Sequence, residues 1–257
     1  MPNWDVAILA GGAGVGLGPI SQILPKAAYP IGKQPLMALQ LLAIQRSFGD
    51  ASPFQLHAIY PATHPRLVTT INDCVPSLDI NWIRQDESAQ AGVALQRLCE
   101  LGSDRPLLAM VGDAYFSGET ISRIIKEGLG NSGATVGTSI RDAADVGPIA
   151  LITSNETGSN LRFGAPTSPG LTQVDGGIWV ISAGARRTIT PSVASGSPDR
   201  VVRLWNHLLD RGYAVSPFPL SEDLHIGASG AGADRHMLNV AKRILQRHEE
   251  SLRRSTS

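Results

Sequence analysis

The segment ILAGGAGVGLGP, residues 8–19, is the stretch that decides the predicted fold, and Pro25-Lys26 follows it. The apolar run from Val6 to Leu9 stops at the paired glycines Gly11 and Gly12. This pattern predicts a buried strand that enters a loop whose backbone approaches a ligand closely. Because glycines leave consecutive N–H groups uncovered, such a loop can bind phosphate, and Lys26 can supply a formal positive charge.

Spacing argues against two common phosphate-binding loops. A dinucleotide-binding loop needs G-x-G-x-x-G at the start of a helix, and no set of glycines between Gly11 and Gly18 has that spacing. The acidic ribose ligand expected about twenty residues later is also missing, since Lys33 and Gln34 occupy that region. A Walker loop needs Gly-Lys-Ser/Thr, whereas Gln34 follows Gly32-Lys33.

The segment resembles the signature of the sugar-1-phosphate nucleotidyltransferases, or nucleotide-sugar pyrophosphorylases, which is L-A-G-G-x-G-T-R-L-x-P followed by P-K. The matching residues are Leu9, Ala10, Gly11, Gly12, Gly14, Leu17, Pro19, Pro25 and Lys26. Residues 32–36, GKQPL, resemble the G-x-K-P-L of the same family. The resemblance implies that Lys26 is catalytic. It also implies that five of the matching residues bind a nucleoside triphosphate, namely Leu9, Ala10, Gly11, Gly12 and Gly14. The chain departs from the signature at Val15-Gly16, where the family has Thr-Arg.

Composition limits the classes of partner. The chain has 257 residues, 42% of them apolar, which is enough for the core of one α/β domain. Lys plus Arg and Asp plus Glu number 22 each, so net charge does not indicate nucleic acid or a membrane surface.

Cys74 and Cys99 lack metal-ligand spacing and are expected to be buried free thiols. With no leader-like segment before the glycines and no apolar run of about 18 residues, we expect a cytoplasmic protein.

Alternating patterns predict a doubly wound α/β fold. Helical periodicity or strand-like runs follow each other along the chain in the order helix 35–48, strand 54–60, helix 65–75, strand 78–83, helix 88–101 and strand 106–111. This order predicts a mostly parallel, Rossmann-like sheet with helices on both faces, and the resemblance implies the GT-A-like fold of the nucleotidyltransferases. We expect a single domain over 1–257. Its nucleotide-binding half spans about 1–140, its acceptor-binding half about 141–230, and a C-terminal helix 232–257.

A glutamine is expected to read the nucleotide base. Gly92-Val93-Ala94, in the predicted helix 88–101, resembles the family's G-T-A, where the backbone and a preceding glutamine contact the base. Gln85 and Gln90 are both candidates for that glutamine, and the spacing does not decide between them.

A carboxylate follows the strand 106–111. Gly112-Asp113 lies at the carboxyl end of this strand, where doubly wound sheets bind ligands. The segment resembles the family's G-D-x-x-F, which implies that Asp113 binds Mg²⁺ and that Gly112 contacts the nucleotide. Mg²⁺ is commonly held by one or two carboxylates plus phosphate oxygens, so one aspartate can begin such a site. Glycosyltransferases of related architecture would need a second aspartate at the position of Tyr115.

The second half of the chain resembles the acceptor-binding part of the family. Gly147 resembles the glycine of Y-G-V, and Asp175-Gly176-Gly177-Ile178 resembles N-x-G-I, which implies acceptor contacts at Gly147, Asp175 and Gly176. The family's Glu-Lys-Pro, whose lysine holds the sugar phosphate, is replaced by Gly164-Ala165-Pro166, with Arg162 as the nearby cation.

The C-terminal region carries a further departure. A helix is predicted from Ser197-Pro198 to Gly212, then a strand over 213–218. His225 stands where the family has its second metal-binding aspartate, and Asp223 could replace that aspartate only if the backbone turned. The terminal helix 234–254 is expected to present its basic residues to solvent.

Two functional hypotheses follow. In the first, the protein is a divergent transferase that joins a nucleoside triphosphate to a sugar-1-phosphate or similar phosphorylated acceptor. A replacement cation that reaches the triphosphate would support this hypothesis, and the candidates are Lys33, Arg141 and Arg162. In the second, the fold serves only to bind a nucleotide or sugar phosphate. The resemblance also implies a homo-oligomer, because family members often form dimers or tetramers. The base and the acceptor cannot be predicted from the sequence.

Overall fold

The computed structural model describes residues 4–12, 20, 23–49, 53–86, 91–101, 104–145, 150–153, 161–165, 168–189, 200–221, 224–225 and 233–255. Its strands are β1 (Trp4–Leu9), β2 (Pro30–Ile31), β3 (Gln34–Pro35), β4 (Phe54–Pro61), β5 (Ile80–Gln85), β6 (Leu107–Val111), β7 (Ala134–Asp142), β8 (Ala150–Thr153), β9 (Leu161–Gly164), β10 (Leu171–Ile181) and β11 (Val215–Pro219). Its α-helices are α1 (Leu36–Phe48), α2 (Arg66–Cys74), α3 (Ala91–Glu100), α4 (Gly118–Leu129), α5 (Ala183–Arg186), α6 (Arg200–Asp210) and α7 (Ala233–Ser255).

Nine of the described strands form one sheet. Seven of them follow the order β11-β7-β10-β6-β1-β4-β5, and β8 and β9 extend the sheet from β10. β1 is parallel to β4 and β6, β4 is parallel to β5, and β7 is parallel to β11. β10 is antiparallel to both of its neighbours, β6 and β7. The predicted α/β fold with a mostly parallel sheet is therefore confirmed.

Helices cover both faces of the sheet. In β1, Val6 and Ile8 pack into a core with α1, α2, α4 and α7, whereas Ala7 and Leu9 pack into a second core with α3 and α6. The alternation arises because successive side chains of a strand point to opposite faces. All four side chains are buried, which explains why this strand is a continuous apolar run in the sequence.

Some element boundaries differ from the predictions. The sequence predicts a strand over 176–182 and none over 161–164, whereas the structure has β9 and begins β10 at Leu171. Aspartate and glycine are poor strand formers, so the segment around Asp175 carries little strand signal. Pairing with β7 holds this segment extended, and the pairing begins with Leu171 of β10 opposite Asp142 of β7.

The two cysteines have different environments. The prediction that both are buried is wrong for Cys74, which is partly exposed at the last residue of α2. Cys99 is a buried free thiol, as predicted. Burial raises the pKa of Cys99 to about 12, so this thiol stays protonated at neutral pH.

The long helix α7 packs along one side of the molecule. Val240, Ile244 and His248 are buried at a spacing of four residues, whereas Lys242 and Arg243 are exposed, as expected for an amphipathic helix. Among the described helices, none combines the length and the apolar character needed to cross a membrane.

A buried histidine connects α7 to α1 and to the segment after β6. His248 Nδ1 lies 3.2 Å from a terminal nitrogen of Arg46 and 3.4 Å from the hydroxyl of Tyr115. Burial, together with the charge of Arg46, lowers the pKa of His248 to about 4. The imidazole is therefore neutral at pH 7, and its Nδ1 accepts a hydrogen bond from the Arg46 guanidinium.

His248→Gln should weaken the dependence of the free energy of unfolding on pH. Since the pKa of His248 is about 4 in the folded chain and about 6.5 when unfolded, the unfolded chain binds a proton in this range that the folded chain does not. Between about pH 7 and about pH 4.5 the native protein should lose about 2 kcal/mol more than the variant. Urea unfolding of both proteins at the two pH values measures this difference, and equal losses would contradict the assignment.

Candidate active site

The carboxyl ends of β1 and β6 lie in direct contact. The backbone N–H of Gly112 donates to the carbonyl of Leu9 at 2.9 Å, and the N–H of Ala10 donates to the carbonyl of Ile59 at 2.8 Å. A Cβ on Gly112 would lie 3.0 Å from both Cα and Cβ of Ala10. Small residues at 10 and 112 therefore bring the start of the glycine loop beside the segment that carries Asp113.

Gln85 lies against the first glycine of the loop. It is the buried last residue of β5, and a Cβ on Gly11 would lie 2.6 Å from its Oε1. Gly12 is exposed, and a Cβ there would meet no atom within 4 Å. Of the two candidate glutamines, the structure therefore places Gln85 beside the loop, whereas Gln90 and Gly14 lie outside the described residues. Gly92 is buried in the first turn of α3.

Lys26 and Asp113 form an ion pair across 87 residues of sequence. Lys26 Nζ donates to Asp113 Oδ2 at 2.9 Å. The lysine begins a 3-10 helix, Lys26–Ala28, and the aspartate follows β6, so two separate chain segments meet at the edge of the sheet. The two side chains are 23% and 30% exposed, so both can also reach a ligand in solvent.

The donor set around Asp113 sets limits on a metal site. Within the described residues, no group of three or more histidine, cysteine, aspartate or glutamate side chains is placed to hold a metal ion. Asp113 can therefore contribute one carboxylate, and further oxygen ligands would come from bound phosphate and water, as Mg²⁺ allows. Asp223 lies outside the described residues.

His225 lies next to the Asp113 segment. Its backbone forms an antiparallel bridge with Ala114, and the neighbouring Tyr115 N–H donates to the carbonyl of Leu224 at 3.1 Å. Arg141 NH2 lies 3.5 Å from His225 Nδ1. At the position of the family's second metal-binding aspartate, this chain thus has an imidazole in contact with a guanidinium.

A glycine of β10 leaves room for this histidine. The pairing of β10 with β7 shifts register between Asp175 and Trp179, and Gly177 has a φ of 77°. A Cβ on Gly177 would lie 2.6 Å from Cγ2 of Val111 and 3.3 Å from Nε2 of His225. Both the backbone conformation and the close approach require glycine here.

Asp175 connects β10 to α6. Its carboxylate accepts hydrogen bonds from the backbone N–H of Gly177 at 2.8 Å, from the indole of Trp179 at 2.8 and 2.9 Å, and from the indole of Trp205 at 2.8 Å. Burial raises the pKa of Asp175, although these hydrogen bonds act in the opposite direction. An acceptor contact at Asp175 stays a prediction, as do those at Gly176, which packs against Leu220, and at Gly147, outside the described residues.

The other candidate cations have different surroundings. Arg162 forms an ion pair with Asp210 of α6 at 2.6 Å and donates to the carbonyl of Asn206 at 3.4 Å. Lys33 is exposed in the turn between β2 and β3, and Ala165 is exposed after β9. Of the three cations considered from the sequence, Arg141 is the one for which the described structure gives a contact beside the Asp113 segment.

Solved structures with the same fold are sugar-1-phosphate nucleotidyltransferases. A Bacillus anthracis protein provisionally assigned as a glucose-1-phosphate thymidylyltransferase, solved with a sucrose, has a TM-score of 0.70 and 19% identity, with 94% of each chain covered. A UDP-glucose pyrophosphorylase complexed with UDP-glucose has a TM-score of 0.67 and 12% identity, over 94% of this chain and 98% of that one. A UTP-bound UGPase from Acinetobacter baumannii has a TM-score of 0.63 and 14% identity, over 93% and 92%.

The similarity is one of fold. No protein-family model and no curated protein sequence matches the chain. The neighbours belong to the class that the glycine-rich segment predicted, and identities of 12 to 19% mark this chain as divergent from them. The resemblance inferred from the sequence is therefore confirmed at the level of the fold.

The sequence did not reveal two contacts in the second half of the chain. Arg141 was one of three possible cations, and nothing in its neighbourhood indicated a contact with His225, 84 residues away. Trp205 was not considered, because it is 30 residues from Asp175 and reaches the carboxylate only when α6 packs on the sheet.

Gly177→Ala should destabilise the protein more than Gly212→Ala. The two glycines have φ values of 77° and 81°, so alanine is strained at both, by about 1 kcal/mol. A Cβ at 212 meets no atom within 4 Å, whereas one at 177 overlaps Val111, and we expect about 2 kcal/mol more. Urea unfolding measures both losses, and equal losses would contradict the close approach at Gly177.

Asp175 and Trp205 should be energetically coupled. Asp175→Ala and Trp205→Phe each remove one partner of the hydrogen bond from the Trp205 indole to Asp175 Oδ2. In a double-mutant cycle on the free energy of unfolding, we expect a coupling energy of about 1–2 kcal/mol. Additive losses would show that the indole N–H contributes nothing through the carboxylate.

Proposed function

We propose that the protein is a magnesium-dependent nucleotidyltransferase that joins a nucleoside triphosphate to a sugar-1-phosphate or similar phosphorylated acceptor and releases pyrophosphate. The observation that carries this proposal is the contact between Lys26 and Asp113 at the carboxyl edge of the sheet, directly beside Gly11 and Gly112. The fold shared with nucleotidyltransferases supports the same class of reaction.

The nucleotide would bind on the β1 side of this edge. The exposed Gly12 leaves its backbone N–H group accessible to phosphate oxygens, and Gln85, packed on Gly11, can hydrogen-bond to the edge of a base. Gly92, at the start of α3, lies in the next chain segment after β5. Gln85 ends β5, Gly11 follows β1 and Gly112 follows β6, so all three lie at the carboxyl edge of the sheet.

The reaction would be a displacement at the α-phosphorus. A phosphate oxygen of the acceptor forms a bond to the α-phosphorus, and the bond from that phosphorus to the oxygen bridging to the β-phosphorus breaks, so pyrophosphate leaves with the bonding electrons. Lys26 lies where its ammonium can stabilise the negative charge that develops on the phosphate oxygens. Mg²⁺, held by Asp113 together with phosphate oxygens, would neutralise charge on the triphosphate. Asp113, whose carboxylate is 30% exposed beside Lys26, is the residue that would hold the ion.

A second candidate function is binding without catalysis. Gly16, Ala165 and His225 stand where the resemblance implies an arginine, a lysine and an aspartate, and each loss of a preorganised charged group can lower a rate about a hundredfold or more. A relative that senses a nucleotide or sugar phosphate would keep the phosphate loop and Lys26 without turnover.

Pyrophosphate release distinguishes the two functions. The native protein is assayed with Mg²⁺, each common nucleoside triphosphate and a panel of sugar 1-phosphates, beside Asp113→Asn and Lys26→Met. We expect turnover with at least one pair of substrates, lowered about 100- to 1000-fold by either substitution. Asp104→Asn, at a carboxylate that is 95% exposed, is the matched control and should leave the rate unchanged. Thermal stabilisation by a triphosphate without turnover would favour the binding function. The absence of both turnover and stabilisation would contradict both functions.

A further inference from the structure

The helix α1 carries one polar side chain into the core. All residues of this helix lie in the described part of the chain, and among those that are buried Gln40 is the only one with a polar side chain. It is 1% exposed. Because a buried amide lowers stability unless it is hydrogen-bonded, Gln40 needs specific partners on an otherwise apolar face.

The partners of Gln40 are the two backbone groups of Phe116. Gln40 Oε1 accepts from the N–H of Phe116 at 2.6 Å, and Gln40 Nε2 donates to the carbonyl of the same residue at 3.2 Å. One side chain thus bonds a residue through both its N–H and its carbonyl, as a neighbouring antiparallel strand would. Since Phe116 is also buried, removing the amide would leave both groups buried without this pairing.

Phe116 lies three residues after Asp113, in a segment that is bonded on two sides. On one side, the N–H of Tyr115 donates to the carbonyl of Leu224 at 3.1 Å. On the other side, Gln40 bonds the next residue, Phe116. Because consecutive residues are bonded to different partners, the backbone that carries Asp113 follows a fixed course.

The same helix also holds the segment that carries Lys26. The N–H of Leu36, the first residue of α1, donates to the carbonyl of Tyr29 at 2.9 Å, and the N–H of Tyr29 donates to the carbonyl of Lys26 at 3.0 Å. Gln40 follows Leu36 by four residues, which is about one helical turn or about 6 Å along the axis. The segments of the lysine and of the aspartate are therefore attached to neighbouring turns of one helix.

We propose that Gln40 is a positioning residue of the candidate active site, which holds the segment of Asp113 at its contact with Lys26. The proposal rests on the proposed function and adds a residue that is itself too deeply buried to touch a substrate. The 2.9 Å contact between Lys26 and Asp113 then depends on two attachments to α1, one for each segment. Displacing either charged group from the reacting phosphates lowers the rate, because stabilisation of the transition state depends on preorganised geometry.

Steady-state kinetics of pyrophosphate release test the positioning role. Gln40→Met keeps the length of the side chain and removes both hydrogen bonds to Phe116. We expect kcat to fall at least tenfold, while KM for the acceptor changes less than twofold. The assays are run well below the unfolding midpoint of each variant, so that a lower kcat does not reflect a smaller folded fraction.

A matched control separates positioning from stability. Ile71→Val removes one methylene group from the buried face of α2, a helix that carries none of the candidate site residues. We expect both Ile71→Val and Gln40→Met to lower the urea midpoint, and only Gln40→Met to lower kcat. Equal effects of the two variants on kcat would overturn the positioning role.

A conservative variant provides a rescue. In Gln40→Glu a carboxyl oxygen can accept from the N–H of Phe116, and burial favours the protonated carboxyl, which can also donate to the carbonyl. We expect the kcat of Gln40→Glu to be at least threefold higher than that of Gln40→Met.

Hydrogen exchange measured by mass spectrometry tests the attachment without any substrate. In the native protein the amide of Phe116 is bonded to Gln40, so a peptide that spans residues 113–117 should exchange at least tenfold faster in Gln40→Met. The same peptide should exchange at the native rate in Ile71→Val.

The two proposals fail in different ways. If no pair of substrates gives pyrophosphate with the native protein, the proposed reaction is wrong, and hydrogen exchange still decides whether Gln40 holds the segment of Asp113. If the native protein releases pyrophosphate and Gln40→Met keeps the native kcat, the reaction stands and the role of Gln40 is wrong.

Discussion

The candidate site depends on the contact between Ala10 and Gly112. A larger residue at 112 would collide with the backbone of Ala10, and the ends of β1 and β6 would separate. That separation would move Asp113, which follows Gly112, away from the 3-10 helix that carries Lys26. A close approach of two strand ends, possible only with small residues, therefore brings a cation and a carboxylate 87 residues apart to within 2.9 Å.

The opposite edge of the sheet serves stability. Asp5, at the start of β1, accepts from the Arg186 guanidinium at 2.7 Å, and the arginine also donates to the carbonyls of Arg105 and Leu98. Asp5 and Arg186 are both buried, so removing either partner would leave an uncompensated charge, at a cost of about 3–5 kcal/mol. The buried ion pair and hydrogen bonds at the amino edge hold α3, α5 and β1 together, whereas Lys26 and Asp113 at the carboxyl edge stay partly exposed.

The second half of the chain differs from the first half in how it places charge. Around Lys26 and Asp113 the chain keeps the residues that the resemblance implies, and local segments supply them. Around Asp175 and His225 the chain carries other groups, and their partners, Trp205 and Arg141, come from distant elements. Departures from the signature thus occur in both halves of the chain, at Gly16 in the glycine loop as well as at Ala165 and His225.

The sequence by itself determined the class of fold and the local parts of the site. Apolar periodicity, glycines and prolines act through the preferences of a few neighbouring residues, so the alternating elements could be predicted, whereas Lys26 and Asp113 were singled out by short motifs that resemble those of a known family. Only the tertiary structure decided that Gln85 packs on Gly11, that β9 and the first part of β10 are strands, that Cys74 is partly exposed, and that Arg141 contacts His225. These features depend on the order of strands in the sheet and on helices that pack across it. Interactions between residues far apart in sequence leave no periodic or local signal, because each partner alone is compatible with many environments.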